Sequence, residues 1–461
     1  MPKAEVAIVG GGISGLATAW YLTRAGLSAS LFERRGRLGG VITTEIVDGC
    51  LIEGGPDSFL SAKPWAMELI RELGLGSEVI GSNDHLRVTY LWKGGRLTPL
   101  PDGLMLMVPT RVLPVITTRA VGWGTKLRMG LEWFRPAART SAPDRTVAEF
   151  VREHYGQEAV DYLAEPLLAG VYGGSPEELS VASVLGRFVE LEARYGSLTR
   201  GVLAERRRMS AQAASLPLFQ TLRGGLGRLV EALAEALASS VEVHYGEAEA
   251  LERAPGGWRL WVDGSWRHFR DVVLACPAYE AGKLLQGVDG ELASWLAEIP
   301  YSSSMTVALG YDSRSFQRPL NGFGFLVPKR ERRRLIACTW IGTKFAYRVP
   351  PERVVLRCFL GGREDPGILQ ESDETVLAIV REELARIMGV TEEPVFFRAA
   401  RWPASMAQYT VGHQERLRRL ERRLEALEGL FLAGNAYYGI GIPDCVRSGK
   451  EAAKRIAARY L

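Results

Sequence analysis

The stretch "EVAIVGGGISG" at residues 5–15 decides the fold of this chain. Its apolar run, bounded by glycines, predicts a buried parallel strand that leads directly into Gly10, Gly12 and Gly15. In a Gly-x-Gly-x-x-Gly turn the first glycine permits the tight bend, the second lets a pyrophosphate approach the backbone, and the third allows close helix packing. The helix that follows presents free N–H groups to an anion. The stretch therefore predicts a dinucleotide site.

A helix and a second strand extend this unit. Residues 13–26 carry apolar side chains at helical spacing and stop at a glycine. Residues 28–33, "SASLFE", then predict a strand whose last residue, Glu33, lies 23 positions after Gly10. A carboxylate at that distance can accept hydrogen bonds from ribose hydroxyls. We therefore predict one βαβ unit of a Rossmann-like domain.

The composition excludes several other classes of protein. The chain has 461 residues, of which 47% are hydrophobic and 24% charged, as in an ordinary folded protein. Its formal net charge of +4 is too small to indicate a nucleic-acid partner. The five cysteines and five histidines show neither a CxxC pair nor metal-ligand spacing, so we expect no metal and no disulfide framework. Scattered cysteines are typical of a reducing cytoplasm.

Residues 104–123 form the most membrane-like stretch of the sequence. Pro109, Arg111, Pro114 and Arg119 interrupt its apolar pattern, so it does not predict a spanning helix. Two interpretations stay open for it, namely contact with a membrane surface and burial against the protein's own substrate. The first residues contain no basic leader or cleavage site, and we expect no signal peptide.

The remaining sequence alternates between helical and strand-like blocks. Residues 109–205 are mainly helical, and amphipathic helices are predicted at 224–238 and 373–389. Residues 241–277 alternate in the manner of short antiparallel strands, and several further strands are predicted between about 300 and 400. Strands of Rossmann type occur near both ends of the chain. We therefore predict a mixed α/β (α+β) fold with a nucleotide-binding domain assembled from separated segments.

The residues that follow Glu33 indicate which dinucleotide is bound. The pattern Glu-x(3)-Arg-x-Gly-Gly, completed by "RRGRLGG" at 34–40, resembles the FAD-binding region of the amine oxidase-like flavoproteins. The segment "EGGPDSF" at 53–59 resembles the loop that skirts the flavin in that superfamily. The resemblance implies noncovalent FAD. The cofactor-binding residues that it adds are Arg34, Gly39, Gly40, Gly54, Gly55 and Pro56.

Longer segments resemble the protoporphyrinogen/coproporphyrinogen oxidase family. They are "LAEPLLAGVYGGSPEELSVASVL" (163–185), "GFGFLVP" (322–328), "RWPASMAQYTVGH" (401–413) and "GNAYYGIGIPDCVRSGKEAA" (434–453). The resemblance covers essentially the whole chain. It implies a six-electron oxidation of a porphyrinogen in haem biosynthesis, in which three O₂ become three H₂O₂. At the level of the family, it also suggests that a ferrochelatase receives the product.

The resemblance further implies three domains. The FAD-binding domain is expected at 1–84, 206–278 and 426–461, the substrate-binding domain with a mixed sheet at 85–108 and 279–425, and a helical, membrane-contacting domain at 109–205. The protein is expected in the cytoplasm, peripheral at the membrane.

Individual side chains also receive roles from the resemblance. Leu326 and Phe359 are expected to form walls of a macrocycle pocket, and Thr339 stands where plant and animal enzymes tend to have a leucine. Gly173 and Gly174 would let the ring approach the backbone. The alternatives are plain strand core for the two walls and a loop turn for the glycines.

One tryptophan and no acid–base residue complete this set. Trp402 is expected near the flavin, with a core tryptophan as the alternative. No catalytic residue is assigned, because the flavin itself accepts the hydride.

A second glycine-rich turn, "GNAYYGIGIPDC" at 434–445, follows a predicted strand and precedes a predicted helix. Gly434, Asn435 and the backbone around Ile440 and Ile442 are expected to meet the flavin and pyrophosphate from the side opposite the first turn. Cys445 is expected to be a small buried hydrophobe and no attachment point for the flavin.

Two questions about substrate stay open at this stage. Met105 stands where plant and animal protoporphyrinogen enzymes carry a propionate-binding arginine, which favours coproporphyrinogen III. Lys93, Arg96 and Arg111 are nearby cations without an assigned role. The alternative activities are a flavin-dependent amine or polyamine oxidase, whose aromatic cage could be Tyr437–Tyr438, a carotenoid desaturase, and a flavin-binding scaffold without catalysis.

Overall fold

A computed structural model describes residues 5–137, 143–208 and 216–460. The parts of the predicted domains at 1–4, 138–142, 209–215 and 461 lie outside the described residues. The strands are β1 Val6–Val9, β2 Ala29–Glu33, β3 Thr44–Val47, β4 Cys50–Glu53, β5 Phe59–Leu60, β6 Val79–Gly81, β7 Thr89–Lys93, β8 Arg96–Pro99, β9 Leu104–Met105, β10 Val108–Pro109, β11 Phe219–Leu222, β12 Val241–Tyr245, β13 Ala248–Ala254, β14 Gly257–Val262, β15 Ser265–Phe269, β16 Asp271–Leu274, β17 Tyr301–Asp312, β18 Gly324–Leu326, β19 Ala337–Trp340, β20 Arg353–Gly362, β21 Phe396–Ala407 and β22 Leu430–Leu432.

The helices surround two main sheets. They are α1 Ile13–Arg24, α2 Pro64–Glu72, α3 Val112–Thr117, α4 Trp123–Leu131, α5 Val147–Tyr155, α6 Gln157–Ala159, α7 Glu165–Tyr172, α8 Val181–Val184, α9 Gly186–Tyr195, α10 Leu198–Arg208, α11 Gly227–Leu237, α12 Ala278–Leu285, α13 Gly290–Ala297, α14 Ile341–Lys344, α15 Asp373–Met388, α16 His413–Glu425 and α17 Ile442–Ala457. A π-helical turn at Val160–Ala164 joins α6 to α7.

The first sheet is parallel and has the strand order β12-β2-β1-β16-β22. Every residue of β1 is buried, as its apolar run predicts. Because β2 adds to one side of β1 and β16 to the other, the strand order reverses at β1. In open α/β sheets a ligand binds in the crevice at the carboxyl ends of the strands at such a point. The predicted βαβ unit is confirmed, and the sheet is assembled from separated segments.

One strand prediction was wrong in direction. Residues 241–245 form β12, a parallel edge strand beside β2, whereas only the hairpins β13–β14–β15 are antiparallel. The alternation of buried Val241 with exposed Glu242 reports a half-buried strand. Such alternation carries no information on strand direction, because it arises equally in both kinds of pair.

The second sheet is mixed and has the order β21-β17-β20-β19-β18-β7-β8. Its strands are antiparallel apart from the β18–β7 pair. One face packs against α15, with Val376, Val380 and Leu384 in the same buried cluster as residues of β17 and β20. The other face is turned toward the loop after β4, since Thr306 of β17 donates a hydrogen bond to the carbonyl of Gly54.

The third part is helical and contains α3 to α10 around a core of their apolar side chains. In the stretch 104–123, α3 leaves Val112 and Leu113 75% and 71% exposed. Met107, Val108 and Val115 of the same stretch are buried, so the stretch contributes both to the core and to an exposed apolar surface. No helix among the described residues is long and apolar enough to cross a bilayer.

Candidate active site

The first glycine turn forms an anion cradle at the carboxyl end of β1. Gly10 has φ +113°, and a Cβ atom there would lie 2.8 Å from the carbonyl of Ala275, which follows β16. Gly12 is the N-cap of α1, without a side-chain cap and without an acidic residue in the first turn. A Cβ atom on Gly12 would meet no heavy atom within 4 Å. Open space above uncapped N–H groups fits a pyrophosphate.

Gly15 and Glu33 hold this cradle in shape. A Cβ atom on Gly15 would overlap the carbonyl oxygen of Gly10, so only glycine lets α1 start so close to the turn. The Glu33 carboxylate is buried and accepts hydrogen bonds from the backbone N–H groups of Gly11 (2.7 Å) and Arg35 (2.8 Å). Glu33 therefore lies beside the turn, where the ribose is predicted.

Arg34 points away from the glycine turn, unlike Glu33. Its guanidinium pairs with Glu280 of α12 at 2.8 Å and is 42% exposed. The structure therefore directs this predicted cofactor residue to the outer rim. Arg37, which was part of the motif but not of the predicted site, donates instead to the carbonyl oxygens of Gly40 (2.7 Å) and Leu38 (3.2 Å).

The loop at Gly39 and Gly40 lies directly against the cradle. Gly39 forms an isolated parallel bridge with Gly12, and its N–H donates to the carbonyl of Gly11 at 2.8 Å. The two loop glycines have φ +98° and +60°, a region that favours glycine. Gly39 and Gly40, which the resemblance assigns to the cofactor site, thus lie beside the first glycine turn.

The loop 53–57 forms the next layer. The N–H of Gly54 donates to the carbonyl of Thr43 at 2.9 Å, and a Cβ atom on Gly55 would overlap the carbonyl of Val41. Pro56 continues this loop. Trp402 of β21 is 8% exposed, and its indole N–H donates to the carbonyl of Gly54 at 2.8 Å. Apart from Arg34, the predicted cofactor residues of the first 60 positions and Trp402 are therefore neighbours.

The second glycine turn is held by side chains from the segment before it. The hydroxyl of Tyr409 donates to the carbonyl of Asn435 (2.6 Å) and accepts from the N–H of Gly439 (2.8 Å). His413 stacks on Tyr409 and makes a 3.0 Å hydrogen bond to the carbonyl of Tyr437. Burial lowers the pKa of His413 to about 4, so the imidazole is neutral and its Nε2–H is the donor.

The glycine at the start of this turn has open space before it. Gly434 has φ +136°, and the nearest atom to a Cβ there would be the carbonyl oxygen of Cys276, 4.0 Å away. The side-chain amide of Asn435 donates to the carbonyl of Ser405 at 3.0 Å. Ile442 is buried in the core between α1 and the first sheet, and Ile440 packs against the neighbouring cluster.

One detail differs from the expectation for α17. Asp444 is buried in the first turn of this helix and pairs with Lys63 at 2.5 Å. A carboxylate thus already occupies this terminus, and the Lys63 ammonium balances its charge. The acid-free N-terminus of α1 is the better pyrophosphate site.

Cys445, the next residue of α17, is buried in the core. Burial raises the pKa of its thiol to about 12 and leaves it unreactive.

The predicted macrocycle residues form a row across the second sheet. Leu326, Ala337, Phe359 and Thr306 are successive register partners on β18, β19, β20 and β17. Leu326 and Phe359 are only partly buried and pack beside Ala169 of α7. Because Thr306 contacts Gly54, this row of side chains faces the loop 53–57, the flavin-side loop. Two candidate walls therefore lie on one apolar ledge next to the cofactor site.

Thr339 lies two residues along from Ala337, on the same face of the sheet as the ledge, opposite Arg357. Gly173 has φ +58° at the end of α7, and its carbonyl accepts the N–H of Arg363 at 2.9 Å. A Cβ atom on Gly174 would overlap the side-chain amide of Gln408. Packing thus already requires a glycine at 174.

A buried charge cluster that was not predicted from the sequence lies behind the loop 53–57. Asp57 accepts a hydrogen bond from Lys344 Nζ at 2.8 Å and has Arg357 Nη1 3.7 Å away. Burial opposes ionisation of Asp57, but the two cations together hold its pKa below the usual range. Glu53 and Arg348 form a second buried pair at 3.0 Å. The only available signal was a charged residue, Arg357, inside the apolar strand "VVLRCFL".

Comparison with known proteins identifies the family. The model of the flavin-containing amine oxidoreductases matches residues 13–457. The chain belongs to this family. A coproporphyrinogen III oxidase from Bacillus subtilis (strain 168) is 33% identical over 462 residues, which cover 98% of this chain and 97% of that protein. A chloroplastic protoporphyrinogen oxidase from Nicotiana tabacum is 29% identical, and the match covers 99% of this chain and 86% of that protein.

A solved structure gives the same answer. A protein from Exiguobacterium sp. 255-15, described as a candidate protoporphyrinogen oxidase, superposes with a TM-score of 0.88 at 32% identity over 100% of both chains. The resemblance and the fold class predicted from the sequence are confirmed. As a flavin-containing amine oxidoreductase, the protein uses a flavin, and the cradle at Gly12 fits the phosphate part of such a nucleotide.

Proposed function

We propose that the protein oxidises a porphyrinogen to a porphyrin in haem biosynthesis, with noncovalent FAD and with O₂ as the electron acceptor. Coproporphyrinogen III is the favoured substrate over protoporphyrinogen IX. The observation that carries this proposal is the apolar ledge of Leu326 and Phe359, which faces the flavin-side loop at Gly54. A flat, apolar macrocycle can lie on such a ledge. Six electrons would leave it in three rounds, with three H₂O₂ formed.

Each part of the site has a task in this proposal. The Gly10–Gly15 turn would bind the pyrophosphate, Glu33 the ribose, and the loops at Gly39 and Gly54 the flavin side. Bound FAD supplies the hydride acceptor and the reaction with O₂. The protein's own contribution is to orient the macrocycle, exclude water and hold the loops in register.

The substrate preference rests on Met105 and on the named relatives. Met105 lies in β9 and packs against the helical core. Lys93 is paired with Glu158 at 2.9 Å, and Arg111 is paired with Asp102. Neither is therefore a free propionate ligand. The relatives named coproporphyrinogen III oxidase include the one with 33% identity, against 29% for the tobacco protoporphyrinogen oxidase.

A direct comparison of substrates tests this proposal. The purified protein is mixed aerobically with coproporphyrinogen III or protoporphyrinogen IX, and porphyrin fluorescence and H₂O₂ are followed together. We expect three H₂O₂ for each porphyrin and a higher kcat/KM for coproporphyrinogen III. Turnover of an amine without oxidation of either porphyrinogen would overturn it, and bound flavin that neither class reduces would indicate a scaffold.

The geometry gives little support to an amine oxidase cage. Tyr437 is buried in the core behind the second turn, whereas Tyr438 is 49% exposed and donates to Glu421 of α16. An amine cage requires two rings that face the same space. These neighbours lie in different surroundings.

The exposed apolar side chains of the helical part support a peripheral membrane contact of a cytoplasmic protein. Val112, Leu113, Trp123 and Phe134 are all largely exposed on α3, α4 and the turn after α4. We propose that this surface lies on a membrane and that the product passes to a ferrochelatase. Sedimentation with lipid vesicles tests the contact, and we expect Val112→Ser with Leu113→Ser to reduce binding. Equal binding by this variant would refute it.

The division into three domains is part of the same proposal. Strands of 85–108 and 279–425 build the second sheet, and the helices of 109–205 form their own cluster. Each segment thus supports the role expected for it.

A further inference from the structure

Side chains of the second sheet donate hydrogen bonds to two successive backbone carbonyl groups of the flavin-side loop. The carbonyl of Gly54 accepts hydrogen bonds from Thr306 Oγ1 at 2.6 Å and from Trp402 Nε1 at 2.8 Å. The carbonyl of Gly55 accepts a hydrogen bond from Nη2 of Arg357. Three side chains of one sheet therefore fix the path of this loop.

Arg357 is the one charged residue among these three side chains. It lies in the middle of β20, two residues before Phe359 on the same face, with its guanidinium carbon 4.8 Å from the centre of that ring. The residue is 3% exposed. Its Nε–H is buried without a hydrogen-bond partner among the described residues. A buried donor left unpaired is costly, and a bound ligand with an acceptor would relieve that cost.

The charges around Arg357 do not cancel. Lys344 Nζ lies 2.8 Å and Arg357 Nη1 3.7 Å from the carboxylate of Asp57, so two cations share one anion. The nearby pair of Arg348 and Glu53 is neutral in sum. A net positive charge in a site shielded from water acts strongly on groups beside it.

We propose that Arg357 positions the loop 54–57 against the flavin and supplies, together with Lys344, the positive charge that favours the reduced cofactor. This inference rests on the proposed function, because that function supplies the substrate. The flavin affinity and reduction potential that test it can be measured without a porphyrinogen. In each round the substrate loses a hydride from a meso carbon and one proton, and O₂ takes up both as H₂O₂. Arg357 and Lys344 would stabilise the additional negative charge that a bound flavin would carry after accepting a hydride. Arg357 is thus a positioning residue that acts through the loop and through its charge.

Three variants separate the effect of the hydrogen bond to Gly55 from the effect of the positive charge. Arg357→Met removes both, Arg357→Lys keeps the charge but loses the planar fork, and Lys344→Met removes a charge without touching Gly55. FAD affinity is measured by titration of the apoprotein, and the reduction potential of the bound flavin by equilibration with reference dyes. Thermal unfolding of each variant reports on its folding.

The expected results differ for each variant. Arg357→Met weakens FAD binding roughly tenfold, as expected for loss of a charged hydrogen bond. It also lowers the stabilisation of the reduced flavin roughly tenfold, which is about 30 mV for a two-electron couple. Arg357→Lys loses affinity but keeps the potential. Lys344→Met loses the potential but keeps FAD affinity within about threefold.

Steady-state kinetics provide a further test, because a purely structural role of Arg357 would not change kcat and KM separately. We expect Arg357→Met to lower kcat with little change in KM for the porphyrinogen, because the ledge itself is intact. A folded Arg357→Met protein with the wild-type potential and FAD affinity would overturn the inference. Failure of the wild type to oxidise any porphyrinogen would overturn the proposed function instead. The potential and affinity would still decide the role of Arg357.

Discussion

The two glycine-rich turns at the cofactor site are built by opposite means. In the first turn, neighbouring backbone atoms leave no room for a Cβ on Gly10 or Gly15. In the second, Gly434 has no such close neighbour, and the turn is held by the side chains of Tyr409 and His413. Apart from Ala275, the residues that shape the first turn lie within the first 33 positions of the chain. The second depends on partners that lie some 25 residues earlier in the chain.

This difference predicts different weaknesses. The first turn should fail when a side chain fills its open space, with the fold intact. The second should fail when a hydrogen bond is lost, with a cost in stability.

The largest effect is expected from Gly12→Val. The new side chain would project into the open space above the N-terminus of α1 and occupy the place of the pyrophosphate. We expect flavin content to fall below roughly a tenth of the wild type, since the anion cradle is lost. Absorbance at 450 nm relative to 280 nm measures it. Gly36→Ala is the matched control, because its Cβ also meets no atom within 4 Å but lies on the exposed rim. Full flavin content in Gly12→Val would refute the site.

The second turn is expected to weaken in mild acid. The pKa of His413 is lowered from 6.5 to about 4 by burial. Between those values the unfolded chain binds a proton that the folded chain does not, so stability falls as pH drops from about 6.5 to 4. The full contribution is about 3 kcal/mol, from 1.36 kcal/mol for each pKa unit. Urea unfolding across this range measures it. His413→Gln should show a flatter pH dependence, and an equally steep one would contradict the assignment.

Tyr409→Phe is expected to have the next largest effect. It removes a buried hydroxyl that both donates to Asn435 and accepts from Gly439. Two orphaned backbone groups should lower the free energy of unfolding by about 2 kcal/mol and weaken FAD binding several-fold. Tyr438→Phe, which loses only a half-exposed contact with Glu421, should stay within about 0.5 kcal/mol of the wild type. Equal effects of the two variants would show that the second turn is not held by Tyr409.

The smallest effect is expected from Cys445→Ala in the first turn of α17. The thiol is buried, and burial raises its pKa to about 12, so it contributes packing alone. The variant should keep full flavin content and lose about 1 kcal/mol of stability. Acid should release all flavin from both proteins. Flavin that stays on the wild-type chain but not on the variant would reveal a covalent bond.

The determinants of the first turn are local apart from Ala275, whose carbonyl crowds Gly10. The strand, the three glycines and Glu33 fall within 33 residues, and their spacing alone brings them together. The second turn could be located by its glycines, but its support by Tyr409 and His413 has no periodic signal. The strand direction of β12 could not be predicted either, because buried and exposed residues alternate in the same way in parallel and antiparallel pairs.

The charge cluster behind the flavin-side loop was beyond prediction for a related reason. Lys344 and Asp57 are 287 positions apart, and nothing in the intervening sequence sets their distance. Arg357 was visible only as a charge within an apolar strand. The burial of Asp444 beside Lys63 likewise arises from tertiary packing and has no signal in the sequence.

The order of segments in the parallel sheet has a consequence for how the protein matures. Strands β1 and β2 leave the ribosome first, whereas β22 and α17 follow the whole second sheet in the chain. Until β22 adds to β16, the nascent protein has one half of its nucleotide crevice. We therefore expect the flavin nucleotide to be captured only after the second sheet has been synthesised, because about 400 residues separate β2 from β22 in the chain.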